Sequence, residues 1–194
     1  AKDVFTKNPR GSVPSTVALI EKDFKMPQIW RTSIGGGYKI PGTPFTVTAD
    51  VIYTKDLQAV YQFGANRKAA TANMDYSGDN REFYPDRDSY TYNDKIGANS
   101  VSVLTNTNKG SSVNATIGVT MAPKKGLYGS FFYSHTTAKT TTDNLGSNAS
   151  SAWGATANIN NPNDLSMYSS IDALPNRLVG TLSYRIKYAN RLAS

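Results

Sequence analysis

Trp30-Arg-Thr-Ser-Ile-Gly-Gly-Gly-Tyr-Lys-Ile40 carries the pattern that decides the fold class. Its even positions, Trp30, Ile34, Tyr38 and Ile40, are apolar or aromatic. Its odd positions, Arg31, Ser33 and Lys39 with Gly35 and Gly37 between, are polar, charged or small. A period of two places alternate side chains on opposite faces, which is a half-buried strand. Pro41-Gly42-Thr43-Pro44 has turn chemistry. Alternation then resumes with Phe45, Val47, Ala49, Val51 and Tyr53 against Thr46, Thr48, Asp50, Ile52 and Thr54, and runs on through Leu57, Ala59, Tyr61 and Phe63. Pairing Ile40 with Phe45 sets Tyr38 opposite Val47, Ile34 opposite Val51 and Thr32 opposite Tyr53. That register brings both apolar sets to one sheet face, so pattern and pairing agree on a hairpin.

The design recurs. Val113, Ala115, Ile117, Val119 and Met121 alternate with Asn114, Thr116, Gly118 and Thr120. Ala122–Gly126 reads as the turn, and Leu127, Gly129, Phe131, Tyr133 and His135 return. Pairing Met121 with Leu127 joins the apolar sets, although Tyr128 and Phe132 lie on the other face. A fifth strand is expected over Asn176–Tyr188, with Leu178, Leu182, Tyr184 and Ile186 on one face and Arg177, Thr181 and Arg185 on the other. The connections 64–111 and 140–175 are long, and the first contains an extended piece at Val101–Thr105. Alternating short and long connections are the pattern of an outer-membrane barrel. Trp30 and Tyr38 stand eight residues apart, as do Phe45 and Tyr53. Eight residues at about 3.3 Å, tilted by about 40°, span roughly 20 Å, the scale of the apolar band between two aromatic girdles.

Composition agrees with β-structure. The 194 residues include no Cys and one His, which excludes disulfides, Cys-based metal or redox centres and a poly-His metal site. Ser, Thr and Asn are abundant, and these residues favour strands and loops over helix interiors. The net charge is +7, but the basic residues are scattered with no run of four, which argues against a nucleic-acid partner. The N-terminus lacks the apolar core of a signal peptide, and no apolar run approaches the ~20 residues of a membrane helix. A β-barrel escapes that criterion because its strands alternate.

Met26-Pro-Gln-Ile-Trp30-Arg-Thr-Ser, Tyr38-Lys-Ile-Pro41, Asp50-Val-Ile-Tyr-Thr-Lys-Asp56, Thr105-Asn-Thr-Asn-Lys-Gly110 and Leu174-Pro-Asn-Arg177 with Leu182-Ser-Tyr-Arg185 form an ordered set. Together they resemble the barrel of TonB-dependent outer-membrane receptors of Bacteroidetes, most nearly the Oar-like group, over nearly all of the chain. The resemblance implies that residues 1–194 are part of a transmembrane β-barrel domain: all-β, antiparallel, about five strands with long extracellular loops. Neither plug nor TonB box is present in the chain. It implies residence in the bacterial outer membrane, energy-coupled uptake of a nutrient ligand and no enzymatic activity or cofactor. The implied partners are outer-membrane lipid, the rest of the barrel, the plug and, through the plug, TonB. The turns at Pro41–Pro44 and Ala122–Gly126 would be periplasmic, segments 64–111 and 140–175 extracellular, and the first 26 residues the tail of another loop. Arg31, Lys39, Arg177, Arg185 and Lys187 would face the lumen. Five strands leave two open edges, which lipid does not tolerate, so such a chain needs neighbouring strands.

The candidate ligand-binding residues lie in the first long loop: Tyr76, Asp79, Tyr84, Asp86, Asp88 and Tyr90. Aromatic faces interleaved with carboxylates suit sugar or peptide capture, and local loop packing explains the same pattern. Asp75, Asp79, Asp86, Asp88 and Asp94 are hard oxygen ligands of the kind calcium takes, but their spacing lacks the EF-hand alternation, and no metal is assigned. Gly35-Gly-Gly37 has neither a following helix nor a Gly-Lys-Ser/Thr pattern and reads as strand rather than phosphate loop. His135 has no Ser or carboxylate placed to partner it, so no catalytic residue is assigned. The competing reading is a soluble or surface-anchored β-sandwich that binds glycans or acts as an adhesin, its apolar face packed on a second sheet.

Overall fold

A computed structural model describes residues 16–86, 88–97, 100–156, 158 and 161–186. The protein is all-β, mostly antiparallel, with one six-residue helix. Among the described residues no helix is long and apolar enough to cross a membrane. The chain divides into two compact units. The first comprises residues 1–26, 60–106 and 142–166, and the second 27–59, 107–141 and 167–194.

The second unit is an antiparallel meander. Its strands are β2 (Gln28–Lys39), β3 (Phe45–Gly64, whose last residues belong to the first unit), β7 (Ser111–Lys124), β8 (Leu127–Thr140) and β10 (Asn176–Tyr184), adjacent in that order. The short β9 (Tyr168–Ser169) pairs with the end of β8. The first hairpin takes the expected register, with Tyr38 opposite Val47, Ile34 opposite Val51 and Thr32 opposite Tyr53. Its turn follows from sequence: Thr43 N–H donates to the Ile40 carbonyl at 3.2 Å, and Gly42 has φ 72°. Pro at the second position and a left-handed Gly at the third make a type II turn.

The second hairpin corrects the sequence reading. Met121 faces Gly129, and Lys124 faces Leu127. The Met121–Leu127 pairing is therefore two residues out of register. The physical reason is a two-residue turn, Lys125-Gly126, with φ 50° and 89°. Both values are left-handed, as the tight hairpin turn that matches strand twist requires. One extra residue between Met121 and Lys124 bulges the strand at Ala122-Pro123, where a residue without N–H is tolerated. Because the error is two residues, the apolar sets still share a face. The fifth strand is shorter than expected: β10 ends at Tyr184. Lys187 and Tyr188 lie outside the described residues. The order runs out at β2 and β10, which each have one strand neighbour among the described residues.

In the first unit, β6 (Val101–Thr107) confirms and extends the expected piece at Val101–Thr105. It neighbours β3, and Ala65 N–H donates to the Val101 carbonyl at 2.9 Å. On its other edge lies β1 (Val17–Ile20), parallel, with Val17 opposite Val101. Part of the expected N-terminal loop is thus a strand. The first long connection also holds a small hairpin, β4 (Ala72–Asn73) with β5 (Glu82–Phe83). The second holds α1 (Ala149–Gly154), whose N-cap Asn148 exchanges hydrogen bonds with Ser151 in a capping box. The buried apolar side chains among the described residues are Ala152 and Trp153, both here.

Candidate functional site

The two faces of the meander differ. Across it, pairing aligns Tyr38, Val47, Val119, Phe131 and Gly180 in one row, and Ile34, Val51, Ala115, His135 and Asn176 in another. These rows form a continuous apolar face that no second sheet covers among the described residues. Ile34 is 78% exposed and Leu182 77%, and Tyr38, Val51, Ile117, Phe131, Leu178 and Tyr184 are exposed as well. A patch of this extent marks an interaction surface rather than ordinary surface. Its aromatics lie toward both ends: Phe45, Tyr38, Phe131 and Tyr184 near the tight turns, Trp30 and Tyr53 near the long connections. Trp30 and Tyr53 meet edge to face, centroids 6.0 Å apart.

The opposite face is hydrophilic and bonded across strands. Arg31 Nε donates to Thr54 Oγ1 at 3.2 Å, and Asn114 Nδ2 to Thr136 Oγ1 at 2.6 Å. The Thr116 and Ser134 hydroxyls meet at 2.8 Å, as do those of Ser130 and Thr181. The hydrophobic exceptions on this face include Ile29, Ile52, Tyr128, Phe132 and Val179; of these, Phe132 fills the space over Gly118. The strand positions of this face carry Arg31, Lys39 and Arg177 against Asp50 and Asp56. His135, on the apolar side, has Asn176 Oδ1 at 3.2 Å and Thr137 Oγ1 at 3.5 Å, neither an acid nor a nucleophile–base arrangement.

The structure divides the six loop candidates among separate turns. Tyr76 and Asp79 bridge one turn, with Gly78 at φ 83° between them. The Asp79 carboxylate accepts from Arg81 Nε at 2.9 Å and from its terminal nitrogen at 2.7 Å. That fork holds the Asp79 pKa down at about 2. Tyr76 is exposed. Asp86 caps the next turn, its carboxylate accepting from Ser89 N–H at 2.7 Å. Asp88 is exposed, and its backbone carbonyl accepts from Lys68 Nζ at 2.6 Å. Tyr84 and Tyr90 do come together, edge to face at 4.9 Å. The Arg67 guanidinium sits 4.4 Å from the Tyr90 centroid and 5.8 Å from that of Tyr84. The Tyr84 hydroxyl lies 3.1 Å from the Lys68 carbonyl and 3.1 Å from Glu82 Oε2. Burial first, then Glu82, raise its pKa against the lowering effect of Arg67. Among the described residues no three His, Asp or Glu side chains converge as a metal site.

The residues that organise these loops were not among the candidates. Buried Asn66 donates through Nδ2 to the Asn93 and Ile96 carbonyls at 3.0 and 2.9 Å and accepts from Asn93 N–H at 2.9 Å. Asn163 accepts from Gly64 N–H at 2.7 Å and donates to the Gly64 carbonyl at 2.9 Å, so its amide replaces a strand partner. Tyr61 donates to the Asn163 carbonyl at 2.7 Å. The density of Asn signals turns, but it does not say which carbonyl each amide will meet. A groove of about 560 Å³ in the first unit is lined by Thr16, Val17, Ser100, Ser102, Asn148 and Ser151 among others, and by none of the six candidates.

No family model, curated protein or solved structure matches the chain.

Proposed function

We propose that the chain forms part of the wall of a bacterial outer-membrane β-barrel of the TonB-dependent receptor type, serving energy-coupled uptake of a nutrient. The observation that carries the reading is the uncovered apolar face, edged by aromatics and backed by a hydrogen-bonded polar face. In such a barrel the apolar face meets lipid and the polar face lines the lumen. Both tight turns, at Pro41–Pro44 and Lys125-Gly126, lie at one end of the meander, since Phe45 faces Met121, and the long connections lie at the other. Short periplasmic turns and long outer loops are the barrel arrangement. The one-neighbour strands β2 and β10 would pair with further barrel strands. The segment's task is passive: it separates lipid from lumen while loops and plug hold ligand and TonB moves the plug. It performs no bond chemistry.

The test uses the native protein in its source membranes, detected with an antibody to residues 140–175. On gels run with and without boiling, a membrane-bound band much heavier than 21.0 kDa that shifts on heating supports the barrel. A soluble band of 21.0 kDa, indifferent to boiling, overturns it and favours a β-sandwich binder.

A further inference from the structure

The apolar face of the meander carries few charges, and their placement is not random. Within β2, β3, β7, β8 and β10, the side chains that share the face of Ile34, Val51, Ile117, Phe131 and Leu182 include no acid. The charged ones are three lysines: Lys124 at the tight-turn end, opposite Leu127, and Lys55 and Lys139 toward the other end. Lys55 and Lys139 stand in one cross-strand row: Trp30 faces Lys55, Lys55 faces Ser111, and Ser111 faces Lys139. Two strand spacings separate their Cα atoms by about 10 Å. Lysine side chains of that separation reach a common point.

The row sits toward the end with the long connections, two residues beyond Tyr53, Val113 and Thr137. Each ammonium is anchored and retains capacity. Lys55 Nζ donates to the Asn108 carbonyl at 2.7 Å and the Gly110 carbonyl at 3.3 Å. Lys139 Nζ donates to Ser169 Oγ at 2.9 Å. An ammonium has three protons, so these bonds leave one on Lys55 and two on Lys139. Trp30, half-exposed beside them, is an aromatic of the kind that lies at headgroup depth. Asp56, the next residue and on the opposite face, is an acid that interacts with Lys55. On the apolar face itself, two cations at its edge with no acid beside them are complementary to an anion that is itself attached to apolar chains.

We propose that Lys55 and Lys139, with Ser111 between them, bind the phosphate headgroup of a lipid whose acyl chains lie on the adjoining apolar face. The proposal rests on the barrel reading, since it needs that face to meet lipid. It adds to that reading the headgroup chemistry and the residues that select it. Near a membrane surface each lysine contributes roughly a fivefold gain for an anionic lipid, so the pair supplies about thirtyfold.

The test uses the full protein extracted from its native membrane in neutral detergent. It is mixed with bis-phosphorylated lipid A or its dephosphorylated form, and retained lipid is read by native mass spectrometry. Wild type retains the phosphorylated lipid preferentially, and Lys55→Gln with Lys139→Gln lowers that retention about thirtyfold. Lys55→Arg with Lys139→Arg keeps most of it, and Lys124→Gln with Lys125→Gln at the opposite end leaves it unchanged. Heat-shifted mobility on unboiled gels shows that each variant is folded. Equal retention by the glutamine double variant overturns the site. Displacement of the lipid by millimolar inorganic phosphate overturns the lipid as its ligand in favour of free phosphate. Failure of the barrel reading shows separately, as absence of the protein from the membrane fraction.

Discussion

Phe132 occupies the space that a side chain at Gly118 would need: a Cβ built there runs into the ring, and the two residues face each other across β7 and β8. The pairing explains one of the large side chains on the mostly hydrophilic face. A strand glycine leaves a gap and a bare backbone, and a cross-strand ring covers both. Gly118→Ala must displace the ring, at a cost of about 1–3 kcal/mol. In Phe132→Ala the same glycine substitution has room. A double-mutant cycle by denaturant unfolding should therefore show strong non-additivity, and additive effects would mean that the ring does not pack there.

The Lys125-Gly126 turn holds a non-glycine residue at φ 50°. That conformation is unfavourable for a long side chain and easier for Asn. Lys125→Asn is expected to stabilise the hairpin by roughly 0.5–1 kcal/mol. Gly126→Ala should destabilise by more than that, because its φ is 89° and a Cβ would lie 2.7 Å from the Arg185 carbonyl oxygen. Unfolding midpoints of the two variants check the opposite signs.

Insertion assays separate the two faces. Ile34→Arg puts a charge in the middle of the apolar face, where lipid exposure costs about 2–4 kcal/mol. Ser33→Arg, on the neighbouring position of the same strand, points to the polar face and should be tolerated. Outer-membrane yield of heat-modifiable protein is the readout. Equal yields from both variants would contradict the lipid-facing assignment.

The Asp79–Arg81 fork has a pH signature. A depressed carboxylate pKa stabilises the folded turn above its ordinary value of 3.8. The effect fades as pH falls through about 2, where the folded carboxylate takes up its proton. The carboxyl carbon resonance of Asp79 should titrate near 2, and Arg81→Gln should move the midpoint back toward 3.8. A midpoint that ignores the Arg81 substitution would remove the fork as the cause.

Asn163→Ala removes both bonds to the Gly64 backbone. An unpaired backbone group costs about 1–3 kcal/mol where water cannot replace the partner. Amide exchange at Gly64 should accelerate while exchange at Val51, within the meander, stays unchanged. Equal acceleration at both positions would mean that the amide supports the whole sheet rather than the end of β3.

The five meander strands were legible in the sequence because a half-exposed strand writes its two faces into alternate residues. The first hairpin was legible to the residue, since Pro41-Gly42 specifies one turn and the register follows. The second was legible only in which face each side chain takes. Lys125 in a left-handed conformation has no sequence signature, and the bulge at Ala122-Pro123 moved the register by two. The loop candidates were chosen by composition, and composition does not say which groups satisfy one another. Asp79 went to Arg81, Asp86 to Ser89, and Tyr84 to Tyr90 and Arg67.

The sequence by itself determined what repeats along a strand: the β class, the two chemically different faces and the placement of aromatics along them. These depend on a period of two and need no information about distant residues. Only the tertiary structure decided what depends on pairing between strands far apart in the chain. It placed Phe132 over Gly118, β1 parallel to β6, Asn163 on Gly64, and Lys55 in one row with Lys139. Those contacts join residues up to a hundred positions apart, and hydrogen-bond registry between strands, rather than local preference, selects them.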